Sequence, residues 1–104
     1  MTHEDYRFDG ELLAEARLGI VAALLARPAA SFSDLKALLG LTQGNLGAHL
    51  RRLEDAGYVT ITKAFVGRRP RSTVRLTAVG RGAFRDHVDH LQRLAEGGTV
   101  PGDA

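Results

Sequence analysis

The chain contains no cysteine. That removes disulfide staples, thiolate metal sites and a thiol nucleophile at once. It also lacks any run of about 18 uncharged apolar residues, the length a membrane-spanning helix needs. The longest apolar stretch, LGIVAALLA over residues 18–26, has the length of a buried helix instead. The opening MTHEDYRFDGE is acidic and has no cationic lead into an apolar core, so no secretory signal is expected there. A cytoplasmic protein is the expectation. Nor is there a glycine-rich loop leading from a strand into a helix, the arrangement that cradles a nucleotide phosphate. No serine, histidine and aspartate fall together as a nucleophilic triad. No enzyme and no cofactor are expected.

A more local scarcity concerns acid. Between Asp55 and Asp86 there is no carboxylate, while Lys63, Arg68, Arg69, Arg71, Arg75, Arg81 and Arg85 all fall in that interval. The opening segment is the reverse, with Glu4, Asp5, Asp9, Glu11 and Glu15 against Arg7 alone. The formal net charge of +2 therefore hides a strong asymmetry. A basic block beside a helix is an electrostatic footprint for a polyanion, although a charge run in general is more often a solvated face. The order of elements has to decide between them.

What is present fits one small core: 104 residues, of which 44% are hydrophobic. Chains of this size often gain stability by pairing. One domain over residues 1–96 and a flexible tail over 97–104 are expected. The first helix is expected over residues 10–26, stopped by Pro28. It is apolar on more than one face after Leu18, so it needs two partners: its own domain and a second subunit. SFSDLKALLG then predicts a short helix with Ser33 as N-cap, Leu35, Leu38 and Leu39 inward, and Gly40 as its C-terminal stop. Thr42 caps a third helix running to Ala56, with Leu46, Leu50 and Leu53 on one face and Gly57 closing it. Two short helices joined by a glycine-containing turn make a helix-turn-helix.

After Gly57 the period drops to two. Val59, Ile61 and Phe65 line one face of a strand and Thr60, Thr62 and Ala64 the other. STVRLT supplies a second strand, and the basic turn GRRPR joins them. Thr77 caps a last helix to about residue 94, in which Phe84, Val88, Leu91 and Ala95 recur at helical spacing. The expected class is mainly α with a small β-hairpin, a winged helix-turn-helix in α-α-α-β-β-α order. In such a layout the third helix enters the major groove, and its leucine seam leaves the opposite side free for DNA. That side carries Gly44, Ala48, Arg51 and Asp55, flanked by Gln43, Asn45, Gly47 and Arg52. Gln43 and Asn45 lie in the first turn, where amides pair with adenine edges. Gly44 and Gly47 each cost a helix roughly 1 kcal/mol relative to alanine. They suit close approach of backbone to DNA; the other readings are a loosely formed helix, or close packing of Gly47 against a neighbouring element.

LTQGNLGAHLRRLEDAGYV followed by FVGRRPRSTVRLTAVGR resembles the winged-helix transcriptional regulators related to the MarR and ArsR groups. It is most similar to a small subgroup in which a helix beginning T-x-G-N-L precedes a wing reading F-x-G-R-R-P-x-T. The resemblance spans residues 12–94. It implies a homodimer paired through the first and last helices on a roughly palindromic duplex. It assigns Gln43, Asn45, Ala48 and Arg52 to the recognition helix, 42–56, and Arg68, Arg69 and Arg71 to a wing, 67–71, on the backbone or minor groove; together with Thr42, Gly44, Gly47 and Arg51 from the outward face these are the expected DNA-binding residues. Position 47 is often a serine in such helices, so Gly47 removes one polar contact.

Two competing readings follow from the residues. Asp86, His87 and His90 share a helix surface and across a dimer would assemble a metal site, but a second downstream histidine cluster is missing. Surface histidines with acidic neighbours are the commoner case, so no metal is expected. His49 is expected to pack or hydrogen-bond locally. Tyr6, Phe8, Phe32, Tyr58, Phe65 and Phe84 are too dispersed for a single-strand stacking platform and read as core or interface residues. The alternative functions are a winged-helix protein-interaction module and a metal- or effector-controlled regulator.

Overall fold

Seven elements appear in the computed structural model, which describes residues 10–12 and 14–97. They are α1 (Glu15–Ala26), β1 (Ala29–Ser31), α2 (Phe32–Leu39), α3 (Gln43–Asp55), β2 (Val59–Val66), β3 (Arg69–Leu76) and α4 (Ala78–Ala95). The expected helix order and hairpin are present. The acidic residues before Gly10, with His3, Tyr6 and Phe8, lie outside the described residues, as does the expected tail beyond Gly97.

Three boundaries differ from the sequence reading, each for a local reason. The first helix begins at Glu15 rather than near Gly10. Arg17 Nε donates to the Glu11 carbonyl at 2.7 Å and Nη2 to the Gly10 carbonyl at 3.4 Å. These bonds fold residues 10–12 back as a turn instead of extending the helix. The N-cap of α2 is Ser31, not Ser33: its Oγ accepts the Asp34 N–H at 3.0 Å. Finally, the segment after Pro28 forms a third strand that a three-residue run cannot announce by alternation. β1 pairs antiparallel with β3 through Ala29–Arg75, Ala30–Val74 and Ser31–Thr73. The sheet order is β1-β3-β2.

The remaining caps follow the expected chemistry. Gly40 ends α2 at φ 64° and Gly57 follows α3 at φ 82°, left-handed conformations that glycine adopts without steric cost. Thr42 Oγ1 accepts the Asn45 N–H at 3.1 Å. Leu12, Ile20, Val21, Leu24, Ala30, Leu35, Leu46, Leu50, Leu53, Val59 and Val74 form a single buried cluster. α2 touches it along Leu35 and the half-buried Leu39, while Leu38, a step of about 100° from Leu39, is exposed, against expectation. Phe65 also leaves the expected face-sharing core. It lies in register with Val59 and Ile61, but the strand has by then run past the helices, and the ring is 74% exposed.

α4 departs from expectation at its histidines. His87 and His90, expected at the surface, are buried at 3% and 9% exposure, whereas Val88 and Leu91 are 41% and 39% exposed. The helix thus turns its histidines inward and leaves an apolar stripe outside. Its N-terminus is clasped to the α3–β2 joint. Thr77 Oγ1 donates to the Gly57 carbonyl at 2.6 Å and accepts the Gly80 N–H at 2.9 Å. The Thr77 N–H donates to the Tyr58 carbonyl at 2.9 Å.

Gly80 is required by this clasp. A Cβ there would collide with the Tyr58 carbonyl and come within 2.8 Å of Leu76 Cδ1. Backbone cannot yield as a side-chain tip can. Gly80→Ala should therefore lower stability by about 1–3 kcal/mol, despite alanine's better helix propensity. Gly82→Ala, where an added Cβ meets nothing within 4 Å, should raise it by up to about 1 kcal/mol. Denaturant midpoints of the two variants would separate the effects.

Candidate nucleic-acid interface

The seam residues Leu46, Leu50 and Leu53 are all buried, which sets the rotation of α3 about its own axis. The opposite side then faces outward. Gln43, Gly44, Ala48 and Arg51 are exposed and Gly47 is half-exposed. Across from them stands the β2–β3 ribbon. Between the two lies an open cleft of about 980 Å³. Its lining comes from α3 (Gln43, Gly44, Gly47, Ala48, Leu50, Arg51), from β1 and the start of α2 (Ser31, Phe32, Ser33, Lys36) and from the ribbon (Ile61, Lys63, Val66, Arg69, Pro70, Arg71, Ser72).

Among the described residues no carboxylate lines this cleft, and its cations are Lys36, Arg51, Lys63, Arg69 and Arg71. Among the described residues none of these five makes an ion pair. Arg17, Arg27, Arg52 and Arg93, which lie elsewhere, are each within 4 Å of a carboxylate. The separation matters electrostatically. Unpaired like charges on a shared concave wall repel one another and hold a positive potential that a polyanion relieves.

The glycines of α3 are explained in part. A Cβ added at Gly44 or at Gly47 meets nothing within 4 Å among the described residues. Packing inside the chain therefore does not demand glycine at either position, and the close-packing reading of Gly47 is set aside. Both line the cleft, where the missing side chains leave backbone open to whatever enters.

Seven of the eleven anticipated contact residues line the cleft: Gln43, Gly44, Gly47, Ala48, Arg51, Arg69 and Arg71. The other four lie around it. Thr42 is occupied as the N-cap, Asn45 is exposed on the first turn of α3, and Arg68 is exposed in the ribbon's turn. Arg52 is held on the far flank. Its Nε and Nη2 donate to the two Glu11 carboxylate oxygens at 3.3 and 3.2 Å. Those hydrogen bonds, and then the attraction of the carboxylate charge, hold the guanidinium above its ordinary pKa. The sequence reading missed Ser31, Phe32, Ser33 and Lys36. The visible signal was the lone cation Lys36, outside the acid-free interval.

Among the described residues no group of three metal-ligating side chains comes together. His87 and His90 are buried in α4's inward face while Asp86 is exposed, so the anticipated trio is split. His49 behaves as expected. Its Nδ1 lies 3.2 Å from Arg17 Nη1, and since a guanidinium only donates, Nδ1 is the acceptor.

A helix seated by its leucines in the second half of a helix-turn-helix, beside a ribbon reaching past the core, defines a winged helix-turn-helix. Comparison with known proteins agrees. Residues 16–95 match the family model described as "Winged helix DNA-binding domain". An uncharacterised protein of Methanocaldococcus jannaschii is 34% identical over 80 residues, 77% of this chain and 87% of that one. Among solved structures, a transcriptional regulator homologue from Pyrococcus horikoshii is 35% identical with a TM-score of 0.81, covering 90% of this chain and 92% of that chain. The transcriptional repressor CouR, solved on a 23-mer DNA duplex, is 26% identical with a TM-score of 0.67, over 83% of this chain and 63% of that one. MarR shares the fold, with a TM-score of 0.71 at 20% identity over 83% of this chain and 62% of its own. The chain belongs to the winged-helix DNA-binding domain family. No helix among the described residues is long and apolar enough to cross a membrane.

Because nothing packs where its side chain would be, Gly47→Ala should stabilise the fold by about 0.5–1 kcal/mol. A higher denaturant midpoint with unchanged circular dichroism would confirm it.

Proposed function

We propose that the protein binds double-stranded DNA sequence-specifically as a homodimer in the cytoplasm, with α3 in the major groove and the ribbon as its wing. The observation that carries this is the cleft itself, where, among the described residues, five cations without an ion pair and no carboxylate surround an outward helix face. Gln43 and Asn45, on the first turn of α3, read base edges. Thr42 caps the helix against the backbone, and Gly44, Gly47 and Ala48 let it sit deep. Arg51, Arg69, Arg71 and the tip residue Arg68 take phosphates or the adjacent minor groove. Arg52 reaches DNA by exchanging the Glu11 carboxylate for a phosphate.

Duplex affinity should fall linearly with salt on logarithmic axes, with a slope near −0.9 per phosphate neutralised. Arg69→Ala with Arg71→Ala should weaken all sequences alike and flatten that slope by up to about two. Absence of duplex binding at low salt would sink the proposal. On the same reading, the stabilised Gly47→Ala variant binds more weakly.

Dimerisation is supported by the outer side of α4. Val88 and Leu91 stand exposed on it, and a shallow groove there is lined by Leu25 of α1 with Phe84, Val88 and Gln92, rimmed by Arg81, Arg85 and Asp89. An apolar stripe shared by the first and last helices suits two-fold pairing. Two recognition helices would then meet half-sites about one helical turn apart, in a roughly palindromic duplex. Val88→Asp with Leu91→Asp should yield a folded monomer in sedimentation and should uncouple binding of the two half-sites. A variant that still sediments as a dimer would refute pairing through this face.

A further inference from the structure

The wing carries more than charge. β1 reaches only residues 73–75 of β3, so residues 69–72 pair with β2 alone and the ribbon projects beyond the sheet. Its tip is a two-residue turn, Gly67 and Arg68, with glycine at φ 66° in the first position and no positive φ at Arg68. That is the backbone of a type II′ hairpin turn, which holds two strands in strict register. Immediately behind the turn sit Phe65 and Val66, 74% and 58% exposed.

The register makes an apolar blade of them. Phe65 faces Pro70 across the ribbon and Val66 faces Arg69. Residues flanking a two-residue turn form the hydrogen-bonded pair, so Phe65 and Pro70 form the next, non-hydrogen-bonded pair, whose side chains approach most closely. Pro70 has no N–H to waste there, since the backbone of such a pair points away from the partner strand, and β1 does not extend to meet it. The proline also fixes its own φ and stiffens the strand beneath the phenyl ring. Ala64 and Arg71 follow as the next pair, and Lys63 with Ser72 after that. Lys63 shares the ring's face of the ribbon, Arg69 and Arg71 project from the opposite face and Arg68 occupies the turn, so cations flank the ring, with no acid in the chain between Asp55 and Asp86.

A ribbon that only neutralised phosphates would need its arginines and no exposed ring. We propose that Phe65, backed by Pro70, is a minor-groove wedge that enters a base step, partly unstacks it and bends the duplex. This rests on the duplex-binding reading above and adds to it a specificity element without hydrogen bonds. The arginines grip the phosphates bordering the groove while the ring, being apolar and flat, replaces part of one base-stacking contact. Such a wedge selects sequence through deformability. Pyrimidine–purine steps such as TA and CA/TG open most easily, so a preference for them at the wing position is expected.

The full-length protein and a duplex selected from a random pool provide the test, with 2-aminopurine placed at the step nearest the wing and a dye pair reporting the bend. Wild type should raise 2-aminopurine fluorescence and shorten the end-to-end distance. Phe65→Ser should lose both signals and weaken binding on the order of tenfold, with an unchanged melting temperature because the ring is exposed. Phe65→Leu, still an apolar wedge, should retain most of the bend. Equal bending and fluorescence in wild type and Phe65→Ser would overturn the wedge while leaving duplex binding intact. Loss of dimerisation in Phe65→Ser would instead make the ring a contact between copies and likewise overturn it. No binding by wild type even at about 50 mM salt would remove the duplex reading and the wedge together.

Discussion

The burial of three leucines, Leu46, Leu50 and Leu53, is the constraint on which the rest depends. A helix seated by one narrow seam has a single stable rotation, because turning it by one residue would expose a leucine and bury an arginine. Each leucine withdrawn from water contributes on the order of 1.5–3 kcal/mol, enough to outweigh two glycines in the same helix. With the rotation set, Gln43, Gly44, Ala48 and Arg51 are presented together. The wing then needs only to stand opposite, and the β-register that places it is anchored where Val59 and Val74 enter the same core.

Charge is divided with the same economy. Arg52 and Arg17, on the side of α3 away from the cleft, are both within reach of Glu11. Glu11 thus offsets part of the positive charge on the flank that the cleft does not use. Those pairs are exposed or half-exposed and are worth little to stability. Their effect is on the shape of the potential: positive where the cleft opens, and partly offset behind it.

Much of this was legible in the residues. The leucine seam, the caps at Thr42 and Thr77, the glycine stops at Gly40 and Gly57 and the basic hairpin each have a local chemical signature, and each is where the sequence placed it. What escaped was non-local. β1 is three residues long and exists only because β3 lies beside it. Ser33 was a plausible cap, but β1 ends at Ser31, so the chain turns into the helix two residues sooner. α4 shows two faces by periodicity, and nothing in that period says which faces inward. His87 and His90 take the inner face, and the apolar stripe takes the outer one. Phe65 has the parity of a core residue and the position of a surface one, because alternation carries no information on where the ribbon outruns the core.

The clasp at Thr77 has a mechanical consequence. One threonine bonds Gly57 with its side chain and Tyr58 with its backbone, and Gly80 lies against the same peptide. The last helix is therefore joined to the end of α3 and the root of the wing without an intervening hinge. In the proposed pair of subunits, the crossing angle of the two α4 helices would act as a lever arm. A few degrees of rotation there would change the separation of the two reading heads directly. Anything that wedges or tightens the outer stripe of α4 then retunes the spacing of DNA the molecule can span.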